Sequence, residues 1–124
     1  MKRLALSKKK RLVSNMRFKA IMTHGRCARD KMLILYMVEN DCGYPRLGIS
    51  VGKIHGNAVV RNRLKRLLRE AFRQNQERIP AGFDYLLMMS RSKWTTEHPT
   101  FKQVENSLLS LAGSLQNKGA SHEP

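Results

Sequence analysis

The chain has 124 residues, and 24 lysines and arginines against 9 aspartates and glutamates give it a formal charge of +15. That length suits one compact domain over 1–124, and 41% hydrophobic residues are enough for a modest core, which excludes a disordered basic tail. A charge this far from zero repels itself in a compact state, so it points to a polyanion, nucleic acid or an anionic membrane surface, rather than to a generic cytosolic enzyme.

Residues 1–19 carry Lys2, Arg3, Lys8, Lys9, Lys10, Arg11, Arg17 and Lys19 with no acid. Residues 1–12 read as a basic arm, either a solvated tail or a phosphate-contacting segment. A basic start with no apolar stretch behind it is not a secretory signal. The longest uninterrupted apolar run, residues 32–38, has seven members, far short of the roughly 20 that span a bilayer as a helix. No membrane partner is expected. Cys27 and Cys42 form no C-x-x-C and read as reduced thiols, which suits a cytoplasmic location.

Residues 32–38 (MLILYMV) read as a strand, closed by the turn-forming stretch 40–45. Residues 46–53 (RLGISVGK) alternate Leu47, Ile49 and Val51 with Gly48, Ser50 and Gly52. That is a half-buried strand with one small face, and Gly48 and Gly52 leave that face open to a ligand backbone. Gly56 and Asn57 then open the clearest helix, from residue 58 to about 76, with Asn57 as its N-cap. Val60, Leu64, Leu67, Leu68 and Ala71 make one apolar stripe, centred opposite Asn62, Arg66, Arg69 and Arg73. Lys65 falls beside that polar group, and Arg61 and Arg63 take the two shoulders. Pro80 to Gly82 breaks the chain, and the near-continuous apolar run at 83–90 (FDYLLMMS) reads as an interior strand. After a loop at 94–100, Thr100 or a neighbour caps a last helix over 101–115, with Val104, Leu108, Leu111 and Leu115 on its buried face. Residues 117–124 read as a loose tail.

An RNA-cutting site built from side chains needs clustered carboxylates for Mg²⁺ or a His/Lys acid–base set. Here Asp30, Glu39, Asp41, Glu70, Glu77, Asp84, Glu97, Glu105 and Glu123 are scattered, and His24, His55, His98 and His122 have no partner close in sequence. A zinc set of His24, Cys27, Cys42 and His55 is disfavoured by the 14-residue gap between the cysteines. No catalytic residue and no metal ligand is therefore assigned. What stands out is the helix with Arg61, Arg63, Lys65, Arg66, Arg69 and Arg73 and a single acid, Glu70. Such a face is either solvated polar surface or a nucleic-acid contact. The near absence of compensating acids and the five-to-one excess of arginine over lysine weigh toward the second.

Residues 53–73 (KIHGNAVVRNRLKRLLREAFR) closely resemble the signature of the bacterial ribonuclease P protein subunit, with Arg61, Asn62 and Arg63 as its Arg-Asn-Arg motif. Arg11-Leu12, Phe18 and His24-Gly25 resemble its N-terminal block. Leu35-Tyr36 and residues 47–53 resemble its second and third strands, and residues 83–86 its last. The resemblance implies an α+β domain ordered α-β-β-β-α-β-α. It has about four strands, the basic helix packed on the sheet, a first strand near residues 18–25 and a left-handed β-α-β crossover. It implies a protein that binds a catalytic RNA subunit, one protein per RNA, and holds the 5′ leader of precursor tRNA while the RNA, using Mg²⁺, removes that leader. Arg61, Asn62, Arg63, Lys65, Arg66, Arg69, Arg73 and Lys53 would contact RNA. A leader cleft between the basic helix and the sheet would be lined by Phe18, Met22, Tyr36, Ser50, Lys53 and Asn62. Phe18 and Tyr36 have an equal reading as ordinary core residues. Met22 stands where a second aromatic is common in the family, and Ile54-His55 where a second basic residue is common. Composition alone also fits a ribosomal protein or a general RNA chaperone. A protein-only nuclease is disfavoured by the scattered carboxylates.

Overall fold

The computed structural model describes residues 15–40, 43–90 and 99–117. The basic arm 1–12, Asp41, Cys42, most of the 94–100 loop with Glu97 and His98, and the tail with His122 and Glu123 lie outside the described residues.

Helix α1 (Asn15–His24) is followed by strands β1 (Arg26–Arg29), β2 (Leu33–Glu39) and β3 (Arg46–Ser50), helix α2 (Ala58–Gln74), strand β4 (Phe83–Met89) and helix α3 (Phe101–Asn117). This is the α-β-β-β-α-β-α order of an α+β fold. The strands form one sheet in the order β1-β2-β4-β3. The β1–β2 and β2–β4 pairs are antiparallel, while β3 and β4 are parallel and joined through α2. The apolar run at 83–90 therefore does lie inside the sheet, between β2 and β3.

The expected strand near residues 18–25 is a helix instead. Phe18, Ile21 and Gly25 are spaced i, i+3, i+7, which gathers them on one helical face, whereas a period of two would split Phe18 from Ile21. The Gly25 N–H donates to the Ile21 carbonyl at 2.7 Å and closes the helix. A Cβ at Gly25 would stand 2.5 Å from the Ile21 oxygen and 3.0 Å from the Met37 oxygen. Only glycine fits between the helix end and β2, and the strand starts one residue later. Gly25→Ala is expected to lower stability by about 1–3 kcal/mol through this overlap, read as a lower urea midpoint at unchanged slope.

The other elements sit close to where periodicity puts them, for identifiable reasons. Asp30 closes the β1–β2 turn: one carboxylate oxygen accepts from the Met32 and Leu33 N–H groups, both at 2.8 Å, and the other from the Ser107 hydroxyl on α3. Helix α2 ends at Gln74 because the buried Asn75 side chain donates to the Ala71 carbonyl at 2.8 Å and to Glu105 at 3.0 Å. Thr100 caps α3 reciprocally with Gln103: the Gln103 N–H donates to the threonine hydroxyl, and the Thr100 N–H donates to the glutamine carbonyl oxygen.

Strand alternation sorts the sheet into two faces. Leu33, Leu35, Met37, Leu47, Tyr85, Leu87 and Met89 are buried with Leu64, Leu68, Ala71 and Phe72 of α2 and Val104, Leu108, Leu111 and Leu115 of α3. The Phe72 and Tyr85 rings meet edge-on, 5.6 Å apart. On the opposite face α1 covers a smaller cluster, with Ile21 against Leu86 and Phe18, Tyr36, Val38 and Met88 half-buried around them. Among the described residues no helix is long and apolar enough to cross a membrane.

Candidate nucleic-acid interface

Helix α2 is started by two residues with separate tasks. Gly56 has φ +135°, and a Cβ there would press on the Val60 side chain. Asn57 is extended and accepts from the Val60 N–H at 3.0 Å, satisfying one of the free donors of the first turn. With Leu64, Leu68, Ala71 and Phe72 buried, the rest of the helix surface is fixed in direction. Asn62, Arg63 and Arg66 are exposed, and Arg61, Lys65 and Arg69 are half-exposed. Arg61 donates to the Gly56 carbonyl at 3.2 Å.

Among the described residues, Arg63, Lys65, Arg66 and Arg69 form no ion pair. Arg73 differs: its Nε donates to Glu70 at 3.0 Å and a second nitrogen bonds the other carboxylate oxygen. Gln74 also donates to Glu70, at 2.7 Å. These bonds, Arg73 first, hold the Glu70 carboxyl down at about 2. The one acid of the helix is thus matched to the last arginine, and the uncompensated charge is concentrated at 63–69.

Of the residues expected to line a cleft, Tyr36 and Ser50 lie on one sheet face, Phe18 and Met22 lie on the helix beside that face, which is α1 and not α2, and Lys53 and Asn62 lie apart in the β3–α2 turn and on α2. Register places Tyr36, Leu86 and Gly48 in one row and Ile34, Met88 and Ser50 in the next. This is the face opposite to Leu35, Leu87 and Leu47, on which α2 packs. The correction follows from Phe18 lying on a helix: one turn of α1 brings Phe18 to the sheet and leaves Met22 45% exposed at its rim. Gly48 is buried, so the strand's open surface is confined to Ser50, half-exposed, and Gly52, beyond which a Cβ would meet nothing within 4 Å. Lys53 is exposed in the turn that links this end of β3 to α2. Phe18 and Tyr36 pack around Ile21 and Leu86 and keep part of their surface in solvent, so they belong to the smaller core and also present ring surface outward.

Tyr36 sits opposite Cys27 in the β1–β2 ladder. Burial first, and then the neighbouring thiol, push its hydroxyl above the usual range, so it stays a neutral hydrogen-bonding group. Ile34 and Met88, which sequence reasoning did not single out, extend the apolar part of this face; only the strand register reveals them. Among the described residues no three His, Cys, Asp or Glu side chains gather as a metal site.

The family model described as Ribonuclease P matches residues 6–116. The ribonuclease P protein component of Alkaliphilus metalliredigens is 34% identical over 106 residues, covering 86% of this chain and 93% of that protein. That of Syntrophus aciditrophicus is 42% identical over 88 residues, covering 71% and 74%. Among solved structures, the RNase P protein from Thermotoga maritima superposes with a TM-score of 0.71 at 32% identity, covering 92% of this chain and 97% of the other. The Staphylococcus aureus RNase P protein gives 0.71 at 28% identity, covering 92% and 98%.

Proposed function

The chain belongs to the bacterial ribonuclease P protein family, and from that premise we propose that the arginine face of α2 holds the RNA subunit while the α1-covered sheet face holds the 5′ leader of precursor tRNA. As a ribonuclease P protein component it serves tRNA processing with the ribonuclease P RNA. The observation that carries the proposal is the run of Arg63, Lys65, Arg66 and Arg69 with no ion pair among the described residues, on a helix whose only acid is already engaged. Such a face gains most from a phosphate backbone, because binding releases counterions and relieves self-repulsion. Arginine forks also bond phosphate in two places at once.

The leader, being unpaired, needs contacts that a duplex does not. Phe18 and Tyr36 offer ring surface for splayed bases, Ser50 offers a hydroxyl, and Met22 offers an apolar rim where stacking is weaker. Lys53, in the turn between β3 and α2, and Asn62, in the first half of α2, would add polar contacts along the path between the two surfaces. Bond breaking belongs to the RNA subunit, where bound Mg²⁺ would supply the Lewis-acid chemistry. Four of the six acids among the described residues already serve the fold, and Glu39 and Glu77 are exposed and gather with no others into a metal site. Asp84 is bonded to Arg46, Glu70 to Arg73, Glu105 to Asn75, and Asp30 closes a turn. One protein per RNA, acting in the cytoplasm, completes the proposal.

The test is precursor tRNA cleavage at low Mg²⁺ with this protein, a bacterial ribonuclease P RNA, or both. Cleavage is expected only with both. Cleavage by the protein alone overturns the proposal. No stimulation of the RNA favours a ribosomal or chaperone-like RNA binder instead.

A further inference from the structure

Beside the arginine face, α2 borders an open groove of about 370 Å³ lined by Arg63, Leu64, Arg66, Leu67, Glu70 and Pro99. That size falls at the lower end of the roughly 300–1,000 Å³ typical of small-ligand sites. Its floor is apolar, built from two leucines and a proline, and its rim is charged. The rim is also graded along the helix. Arg63 and Arg66 stand at one end without ion pairs among the described residues, while Glu70 stands at the other, ionised and held by Arg73 and Gln74. An anion is therefore drawn to the 63–66 end, since the Glu70–Arg73 pair adds no net charge at the other.

We propose that this groove takes one unstacked nucleotide of the RNA partner, with the base over Leu67 and Pro99 and the phosphate on Arg63 and Arg66. A duplex backbone would use the arginines and leave the apolar floor in water. A peptide side chain would use the floor and leave the guanidinium groups unmatched. A nucleotide flipped from its stack carries both an apolar face and a charge at the spacing of one residue, so it matches floor and rim together. The proposal rests on the reading of α2 as an RNA interface and adds base recognition to what is otherwise a purely electrostatic surface.

Leu67 is half-buried at the margin of the core, so its truncation is tolerable. Leu67→Ala, Leu67→Met and Arg66→Ala would be titrated with ribonuclease P RNA and with a uniform RNA duplex over a salt series. Leu67→Ala is expected to weaken binding to the ribonuclease P RNA about fivefold, the cost of the lost apolar contact. The salt slope and duplex binding should be unchanged, and Leu67→Met should restore affinity. Arg66→Ala should instead lower the slope by about 0.7–0.9. A normal affinity for Leu67→Ala beside a weakened Arg66→Ala overturns the groove and leaves the α2 interface standing. No change in either variant overturns that interface itself. Equal losses on RNA and duplex also overturn the groove. So does a change confined to self-association, which would assign it to a second copy of the chain. A measurement on the unmodified protein needs no variant to fold. Adenosine 5′-monophosphate should shift the Leu64 and Leu67 methyl resonances, and ribose 5-phosphate should not; identical responses to the two overturn base binding.

Discussion

Replacing Arg63, Arg66 and Arg69 together with alanine is expected to weaken RNA binding by about 100- to 500-fold at about 0.1 M salt, with a loss of about two to three units from the salt slope. The magnitude follows from counterion release. Each neutralised phosphate contributes about 0.9 to the slope on duplex and about 0.7 on single strands. At about 0.1 M salt each such contact is therefore worth a little under one decade of affinity, and three contacts give about 2.1 to 2.7 decades. These side chains are exposed or half-exposed and form no ion pair among the described residues, so their removal breaks nothing inside the fold. Unfolding midpoints should stay at the parent value or rise slightly as self-repulsion falls. Arg73→Ala is the internal control. Its guanidinium already serves Glu70, so its loss should alter the slope far less. A triple variant with the parent's slope would remove this face from the RNA interface, whatever its effect on stability.

The contrast between Arg73 and its neighbours shows how far the sequence could be read. Helix α2, its Asn57 cap and its polar face were legible because apolar spacing and charge agree over many turns. The pairing of Arg73 with Glu70 is also an i, i+3 relation, but a residue count gives both partners a place without saying that they face each other. The stripe read as Val60, Leu64, Leu67, Leu68 and Ala71 is centred too far to one side. The buried line is Leu64, Leu68, Phe72 with Ala71, and this rotation leaves Leu67 half-exposed at the groove. Elements β2, β3, β4 and α3 were legible for the same reason as α2. The α1–β1 region was not. Among the described side chains of helix α1, Phe18 and Ile21 are the ones that join the apolar cluster, and β1 is four residues, RCAR, with no apolar alternation to detect. That error carried into the cleft, since a Phe18 placed in the sheet cannot mark the helix that covers this face. The decisive constraint, the approach of the Met37 carbonyl to Gly25, is a tertiary contact with no local signature.

Asp84→Ala is expected to lower stability by about 2–4 kcal/mol while leaving the salt slope of RNA binding unchanged. Asp84 is wholly buried, yet it lies in an otherwise apolar strand, so its presence needs a reason. Its carboxylate accepts from Arg46 Nε at 2.7 Å and from a second guanidinium nitrogen at 2.9 Å, and from Asn40 Nδ2 at 2.8 Å. Asn40 follows β2, Arg46 opens β3, and Asp84 belongs to β4. One side chain therefore ties three chain segments at the end of the sheet where β3 joins. Removing one partner of a fully buried pair costs about 3–5 kcal/mol. Arg46 retains 24% exposure and can recover part of its hydration, which lowers the expectation. The reverse change, Arg46→Ala, should cost at least as much, because Asp84 has no comparable route to water. If the three groups act as a unit, the double variant will lose less than the sum of the single losses, and the shortfall measures their coupling. Fully additive losses would mean that each residue stabilises its own strand, and that the join between β3 and β4 depends on the ladder and on Leu47 and Leu87 alone.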